Sequence, residues 1–448
     1  MPHRLLVALA TLVFALATLA PAEARRGRIS LIRDAEIESL IQAYARPLMK
    51  AAGLKRGSVR FLIANDPSFN AFVSGRNMVI HTGLLLQAET PNEVIGVIAH
   101  EIGHVTGGHQ VRLAQRARQA KILAGVGTLL GVGAGVAGAA SGNGDAARAG
   151  ASAALSAKTI ALRGLLAYKR DEETTADRTA ATLLEKTGQS GRGMLKTFER
   201  FQRRLSLSGA RLDPYKQSHP MPRARMAALR SVVQRSRHFD RRDSKTLRER
   251  HDMVRAKIAA YLGGRRTVAT VLRDRKVNPL ARAYGEAIIT HLHGSPKRAV
   301  PLIDRLVKKR PKNAYLHEMK GEILLRAGQP KRAIAPFRKA IKLDRTRAGF
   351  LRVELGHALV ATGGRKNLRE AVKQLKRGIQ TDPNGISGYR YLAMAYHGLG
   401  RTAEAHLATA EEAYRAGRRQ RAKSFARRAQ AKLKRGSPAW LRAQDILR

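Results

Sequence analysis

His100 and His104 stand four residues apart with Glu101 beside the first, in the pattern H-E-x-x-H. On a helix, residues four apart are neighbours on one face, so both imidazoles can reach a single ion at the short distance of about 2.0–2.1 Å that zinc requires. Glu101 then stands beside the position such an ion leaves open, where a carboxylate can take a proton from water. A five-residue pattern in a chain of 448 residues also arises by chance, so its setting has to carry weight.

That setting reads as a helix over residues 90–109. Thr90 is placed to cap it, Pro91 suits its first position, and Glu93 falls where a capping box needs an acid. Ile95, Ile98, Ile102 and Val105 recur at helical spacing and mark a core-facing stripe, with the two histidines on another. A catalytic zinc takes three protein ligands and a water. The pattern H-E-x-x-H-x-x-G-x-x-H would place a third histidine at 110, but that residue is Gln110, and His109 on a continuing helix would point about 100° away. The third ligand is therefore expected farther along the chain. Glu173 and Asp177 lie four apart in a run that reads as the start of a helix; one can bind metal while the other hydrogen-bonds a ligand histidine. An acidic helix start favoured by the helix dipole is the plainer alternative for this pair.

The chain as a whole bounds the possibilities. It has no cysteine, which excludes disulfides, thiolate metal sites and a cysteine nucleophile. The 84 Lys+Arg against 33 Asp+Glu give a formal charge of +51, which predicts attraction to polyanions such as an anionic membrane surface, or simply a solvated, arginine-biased surface. Aromatic residues are only 5%, no stacking platform is visible, and nucleic acid is not expected as a partner. Residues 1–24 read as an export signal: His3 and Arg4, then an apolar run, then Ala22-Glu23-Ala24. Export would place the protein outside the bacterial cytoplasm, in the periplasm, soluble or peripherally attached to a membrane.

An amphipathic helix is expected from residue 29 to about 52, then a strand at 59–64 and a hairpin of 70–73 with 78–81 about Gly75, together a small antiparallel sheet. Residues 122–144 carry no charge and are rich in glycine and alanine; they read as a helical hairpin or cover near the site, with membrane contact as the alternative. Helical pattern resumes at about Ser156. An arginine-rich connector is expected over 235–257.

These residues together resemble the HtpX-type gluzincin metallopeptidases, metallopeptidase family forty-eight, in their periplasmic BepA-like branch. The resemblance rests on H-E-I-G-H with the following His109, on Glu173-Thr174-Thr175-Ala176-Asp177 as E-x-x-A-D, on Ser218-His219-Pro220 followed by Arg225, and on Asn70-Ala71-Phe72. It covers residues 29–233. It implies a zincin-type α+β domain over 25–234 holding one Zn²⁺ per chain, with His100, His104 and Glu173 as ligands, Asp177 supporting them, and Glu101 catalytic. It also implies His219 close to the metal, as an oxyanion donor or as a group that holds the site latent, Arg225 lining the site, and Asn70, Ala71 and Phe72 on a strand beside the substrate cleft.

From 258 to 448 an internal repeat of about 34 residues appears, the tetratricopeptide period. Ala299, Ala333, Ala371 and Ala405 recur at one position, Gly328 and Gly400 mark turns, Gly321 and Gly356 mark close packing, and Pro311 and Pro383 end second helices. The fold class expected is therefore mainly α, a metallopeptidase domain followed by an all-α solenoid, with a capping helix at 424–433. Two functions fit: a zinc endopeptidase acting on unfolded or misassembled envelope proteins, or a chaperone and scaffold for outer-membrane β-barrel assembly with a latent metal site, the repeats gripping substrate or the assembly machinery.

Overall fold

A computed structural model describes residues 30–207, 219, 223–273 and 277–448. The expected export signal, Ser218 and Pro220 lie outside the described residues. Helix α1 (Ala35–Ala51) starts at Asp34, whose side chain accepts from the Ile37 amide, and it buries Ile37, Leu40, Ile41, Tyr44 and Leu48. It does not begin at residue 29, because β1 (Leu31–Ile32) pairs instead with the end of β2 (Arg60–Ala64). Next come β3 (Ala71–Ser74) and β4 (Asn77–His81), joined through Gly75, whose φ of 59° suits a residue without Cβ.

The sheet order is β1-β2-β4-β3, and β2 runs parallel to β4, so the sheet is mixed where an antiparallel one was expected. The reason is burial. Strand β4 is buried from Met78 to His81 and takes an inner place, while β3 is left at an edge. Helices α1 and α3 (Pro91–Gly107) share one apolar core with the sheet, with α2 (Thr82–Gln87) between β4 and α3.

The start of α3 departs from the capping box. The Thr90 hydroxyl donates to the Glu93 carboxylate, which accepts from the Glu89 amide as well. Glu93 is fully buried and paired with Lys196 at 3.1 Å and Arg200 at 2.9 Å, both on α6 (Arg192–Leu207). The carboxylate thus serves the helix start and the tertiary pairing at once.

Helices α4 (His109–Ala140) and α5 (Gly144–Lys186) form a long hairpin. The second helix starts at Gly144, well before Ser156, because the alanines of residues 146–157 favour helix without leaving an amphipathic pattern to read. Glu173 is thus deep inside a helix, and the dipole account of its charge does not apply. Helix α7 (Arg223–Gln234) closes the domain.

The expected connector becomes, from Lys245, a helix, α8 (Lys245–Ile258), buried from His251 onward. Val254 and Ile258 pack in the first core, Met253 and Ala256 in the second, so one helix belongs to both halves. His251 on it bridges the Tyr44 hydroxyl and the Ala88 carbonyl, each at 2.9 Å. After a π-helical turn and α9 (Gly264–Leu272) come helix pairs α10 (Pro279–His293) with α11 (Pro296–Lys309), and α12 (Ala314–Arg326) with α13 (Pro330–Leu343). Then follow α14 (Gly349–Thr362) with α15 (Arg365–Thr381), and α16 (Ile386–Gly398) with α17 (Thr402–Arg415).

The repeat signature has a physical basis. Ala299, Ala333, Ala371 and Ala405 are all buried. A Cβ on Gly321 would meet the Phe337 ring at 2.7 Å, and one on Gly356 would meet Leu375 at 2.4 Å. The chain ends in two helices where one cap was expected, α18 (Arg419–Gln430) and α19 (Pro438–Leu447).

The residues just before and at the start of α1 tie the first half to the repeats. Lys257, itself buried, lies 2.7 Å from Asp34, 3.4 Å from Glu36 and 3.9 Å from Glu318. Tyr284 donates to Glu36 at 2.9 Å, and Arg33 pairs with Asp382. Burial alone would lower the Lys257 pKa, but the surrounding carboxylates outweigh it and raise it well above its ordinary value. Replacing Lys257 with Met strands three carboxylates between the two halves. Unfolding by urea should then show a loss of about 3–5 kcal/mol, and a loss below about 1 kcal/mol would mean that the clamp carries little.

Candidate metal centre

Two helices must come unusually close to build this site. Gly103, between Glu101 and His104, faces Ala176 on α5: a Cβ on Gly103 would lie 2.8 Å from the Ala176 carbonyl oxygen and 2.9 Å from its Cα. Small residues on both sides let α3 and α5 touch by backbone. Glu173 and Asp177, one turn apart on α5, are thereby delivered to His100 and His104, one turn apart on α3.

The ligand-type atoms converge. His100 Nε2 and His104 Nε2 are 3.1 Å apart. Glu173 brings Oε2 to 3.3 Å from His100 Nε2 and Oε1 to 3.4 Å from His104 Nε2. His219 Nδ1 is 3.1 Å from both Glu173 oxygens and 3.3 Å from His100 Nε2. Donor atoms of the four residues all lie within 4.8 Å of one another. A four-coordinate ion with bonds of about 2.0–2.1 Å holds its ligand atoms about 3.4 Å apart, so the set of three imidazoles and one carboxylate has the right size and chemistry for such a cation.

Outer contacts fix each ring. His100 turns Nδ1 to Asp177 Oδ1 at 2.9 Å, so Nδ1–H donates and the Nε2 lone pair is free for the cluster. Asp177 in turn accepts from Arg225, which also reaches Glu173 at 2.9 Å. Arg225, expected to line the site, is buried among these carboxylates and holds both in place.

His104 has an equivalent support that the sequence reading missed. Gly108 takes φ 62°, breaks α3, and restarts the chain as α4 at His109. His109 is buried, with Nδ1 2.8 Å from His104 Nδ1. With His104 Nε2 facing the cluster as an acceptor, His104 Nδ1–H is the donor and His109 the acceptor. Behind His109 lies Glu172, 3.4 Å away, which accepts from Arg112 and from the Tyr168 hydroxyl. The pair Gly107-Gly108 was the available signal, since glycine in the left-handed region ends helices.

Charge balance points the same way. Burial alone would lower the His100 pKa, yet hydrogen bonds to Asp177 and Glu173 push it up to about 9. Burial lowers the His104 pKa to about 2, assisted by positive charge on His100. Burial pushes the Glu173 carboxyl up, but hydrogen bonds to His100 and His219 outweigh it and hold it well below the carboxylate range. The cluster thus requires positive charge at its centre; a proton on His100 or a metal cation supplies it, and the two compete.

Glu101 is buried against this centre. Among the described residues its Oε1 accepts no hydrogen bond, and it lies 3.4 Å from His219 Nε2. Burial raises its pKa, partly offset by His219, His100 and the Val73 backbone on β3. Of the expected substrate strand, Ala71 and Phe72 are on the edge strand β3, and Asn70 precedes it, buried, its carbonyl accepting from the His81 amide at 3.0 Å. All the expected site residues except this strand meet in one cluster; the strand lies alongside it through Val73.

Residues 32–233 match the model of peptidase family M48, and residues 293–348 match a tetratricopeptide repeat model. The beta-barrel assembly-enhancing protease of Escherichia coli (strain K12) is 26% identical over 430 residues, covering 92% of this chain and 82% of the relative. A putative beta-barrel assembly-enhancing protease of Vibrio cholerae is 26% identical over 390 residues, covering 85% of this chain and 76% of the relative. Metalloprotease YcaL of Escherichia coli (strain K12) is 28% identical over 229 residues, covering 48% of this chain and 82% of the relative. The domain that carries the His100, His104 and Glu173 cluster is a peptidase family M48 domain, and the chain is a metallopeptidase with C-terminal tetratricopeptide repeats.

Proposed function

We propose that this chain is a periplasmic zinc endopeptidase that cleaves misfolded or stalled envelope proteins, with its repeats holding the substrate or the outer-membrane assembly machinery. The observation that carries the reading is the tetrahedron-sized set of His100, His104, Glu173 and His219 donors beside a buried Glu101. The names of the full-length relatives support the substrate class. The expected export signal supports the compartment.

His100, His104 and Glu173 would hold the zinc ion, which when bound supplies Lewis acidity toward the peptide carbonyl and makes a nearby water acidic enough to react near pH 7. Glu101 takes the proton of the attacking water and passes it to the departing amine nitrogen. Its burial suits this work, because a carboxylate with a raised pKa both accepts and returns a proton readily. Asp177, Arg225 and His109 position the ligands. The outer edge of β3, unpaired among the described strands, is suited to take an extended substrate by main-chain hydrogen bonds, with Asn70, Ala71 and Phe72 beside the cleft.

His219 favours a second element of this reading, a latent resting state. Its Nδ1 stands at donor distance from both Glu173 and His100, where water has to enter. Latency is also how a scaffolding role in β-barrel assembly and a protease role fit on one chain.

Glu101→Gln should keep one zinc per chain and reduce casein cleavage by about 10²–10⁴-fold, and chelator should abolish the wild-type activity; undiminished cleavage by this variant would refute the role of Glu101. Removing the His219 imidazole as His219→Ala should speed cleavage of an unfolded model substrate, whereas slower cleavage would make it an oxyanion donor instead. His109→Ala leaves His104 Nδ1 without its acceptor and should weaken zinc affinity by about 10–100-fold in competition with a chelator; an unchanged affinity would reduce His109 to packing.

A further inference from the structure

The hairpin of α4 and α5 is built inside out for water. In a water-soluble helical pair the large apolar side chains face each other and small or polar ones face solvent. Here the seam is glycine and alanine. A Cβ on Gly131 would strike the Ala154 amide at 2.6 Å, one on Gly138 the Ala147 amide at 2.6 Å, and one on Gly150 the Gly135 amide at 2.3 Å. Gly127, Gly131 and Gly135 recur every four residues, the small-xxx-small spacing that brings helices together by backbone where apolar surroundings provide no hydrophobic drive. The large side chains point outward: Leu129 is 75% exposed, Leu130 69%, Ile160 69%, Leu155 67% and Val136 63%.

Length and charge identify the surroundings that would suit this surface. Residues 122–140 form about 28 Å of helix without a charged residue, close to the roughly 30 Å of a bilayer's hydrocarbon core. Only 11% of the most apolar stretch of α4 is buried inside the protein. Below it the same hairpin carries an exposed basic collar, Arg116, Arg118 and Lys121 on α4 with Arg163 and Arg170 on α5, beside one exposed acid, Asp171; above it, at the far end of the hairpin, Asp145 and Arg148 are exposed, and residues 149–162 of α5 hold one charge, Lys158. An apolar band of this length, with a ring of cations at one end and charged residues at the other, matches acyl chains between two layers of head groups.

We infer that the α4–α5 hairpin enters an anionic lipid bilayer, its leucines and valines among the acyl chains and its arginine collar at the phosphates. The seam glycines then pack the two helices, and the exposed face needs no protein cover. The metal centre lies at the root of the same hairpin. His109 and Lys121 are twelve residues apart on one helix, so the centre would stand about 18 Å above the head-group plane. This adds a surface to the proposed peptidase and holds whether or not the ion bound is zinc.

The chain has no cysteine, so single-cysteine labelling is clean. An environment-sensitive fluorophore on Leu130→Cys of the full chain should shift to the blue and brighten when phosphatidylethanolamine–phosphatidylglycerol vesicles are added. It should stay unchanged with neutral phosphatidylcholine, and the same label on Ser424→Cys should not respond to either. The double change Leu129→Glu with Leu130→Glu should reduce flotation with the anionic vesicles by at least about tenfold while casein cleavage in free solution stays as in wild type. Equal flotation of the double variant would show that the surplus positive charge alone adsorbs the protein, and would overturn the inference. A blue-shifted label at 130 before any lipid is added would overturn it too, by showing that another copy of the chain covers the face.

Discussion

The backbone contact of Gly103 with Ala176 is the constraint from which the rest of the site follows. Were either residue larger, α3 and α5 would move apart by about the width of a methyl group, and Glu173 would lose its reach to the imidazoles. At this separation one carboxylate stands within 3.1–3.4 Å of His100, His104 and His219 and still accepts from Arg225. A negative group so deeply buried is tolerable only with that many cationic or donating neighbours. The result is a cluster whose members hold one another's charge states, so that ligand geometry, proton position and helix packing are properties of one object.

Support for this object comes from two directions. The His100 side is fastened through Asp177 to Arg225 on α7, near the end of the domain. The His104 side is fastened to His109, at the root of the α4–α5 hairpin, where Glu172, Arg112 and Tyr168 form a second cluster beside it. One histidine thus answers to the interior, the other to the root of an exposed hairpin. Motion of the hairpin root has a direct physical route to His104, whereas His100 is insulated by a buried ion pair.

Helix α8 joins the two halves in a way that a linker could not. It contributes side chains to both cores, and Lys257 at its end gathers Asp34 and Glu36 from the first half with Glu318 from the repeats. Burying this charge is costly unless every partner is present, so the arrangement favours one relative placement of the halves over many. The repeats are therefore seated against the metallopeptidase domain by Arg33, Asp34 and Glu36, not tethered at a distance.

Much of this was legible in the residues alone, because the features involved are local. H-E-x-x-H and Glu173 with Asp177 declare themselves through the four-residue spacing of a helix face, and buried Ala299, Ala333, Ala371 and Ala405 through the repeat period. What the tertiary structure decided depends on residues distant in the chain. The parallel pairing of β2 with β4 follows from which strand the core buries on both sides. Glu93 is shared between the helix start and Lys196 and Arg200, and His109 turns back to His104 only because Gly108 breaks the helix. The outward leucines of the hairpin depend on which face its partner helix covers, which composition does not state. Sequence by itself determined which residues can ligate and where helices and repeats run, since those are set by spacing along the backbone. Only the three-dimensional packing decided which donors meet, what charge each carries and which apolar face is left outside, since these depend on neighbours that spacing does not name.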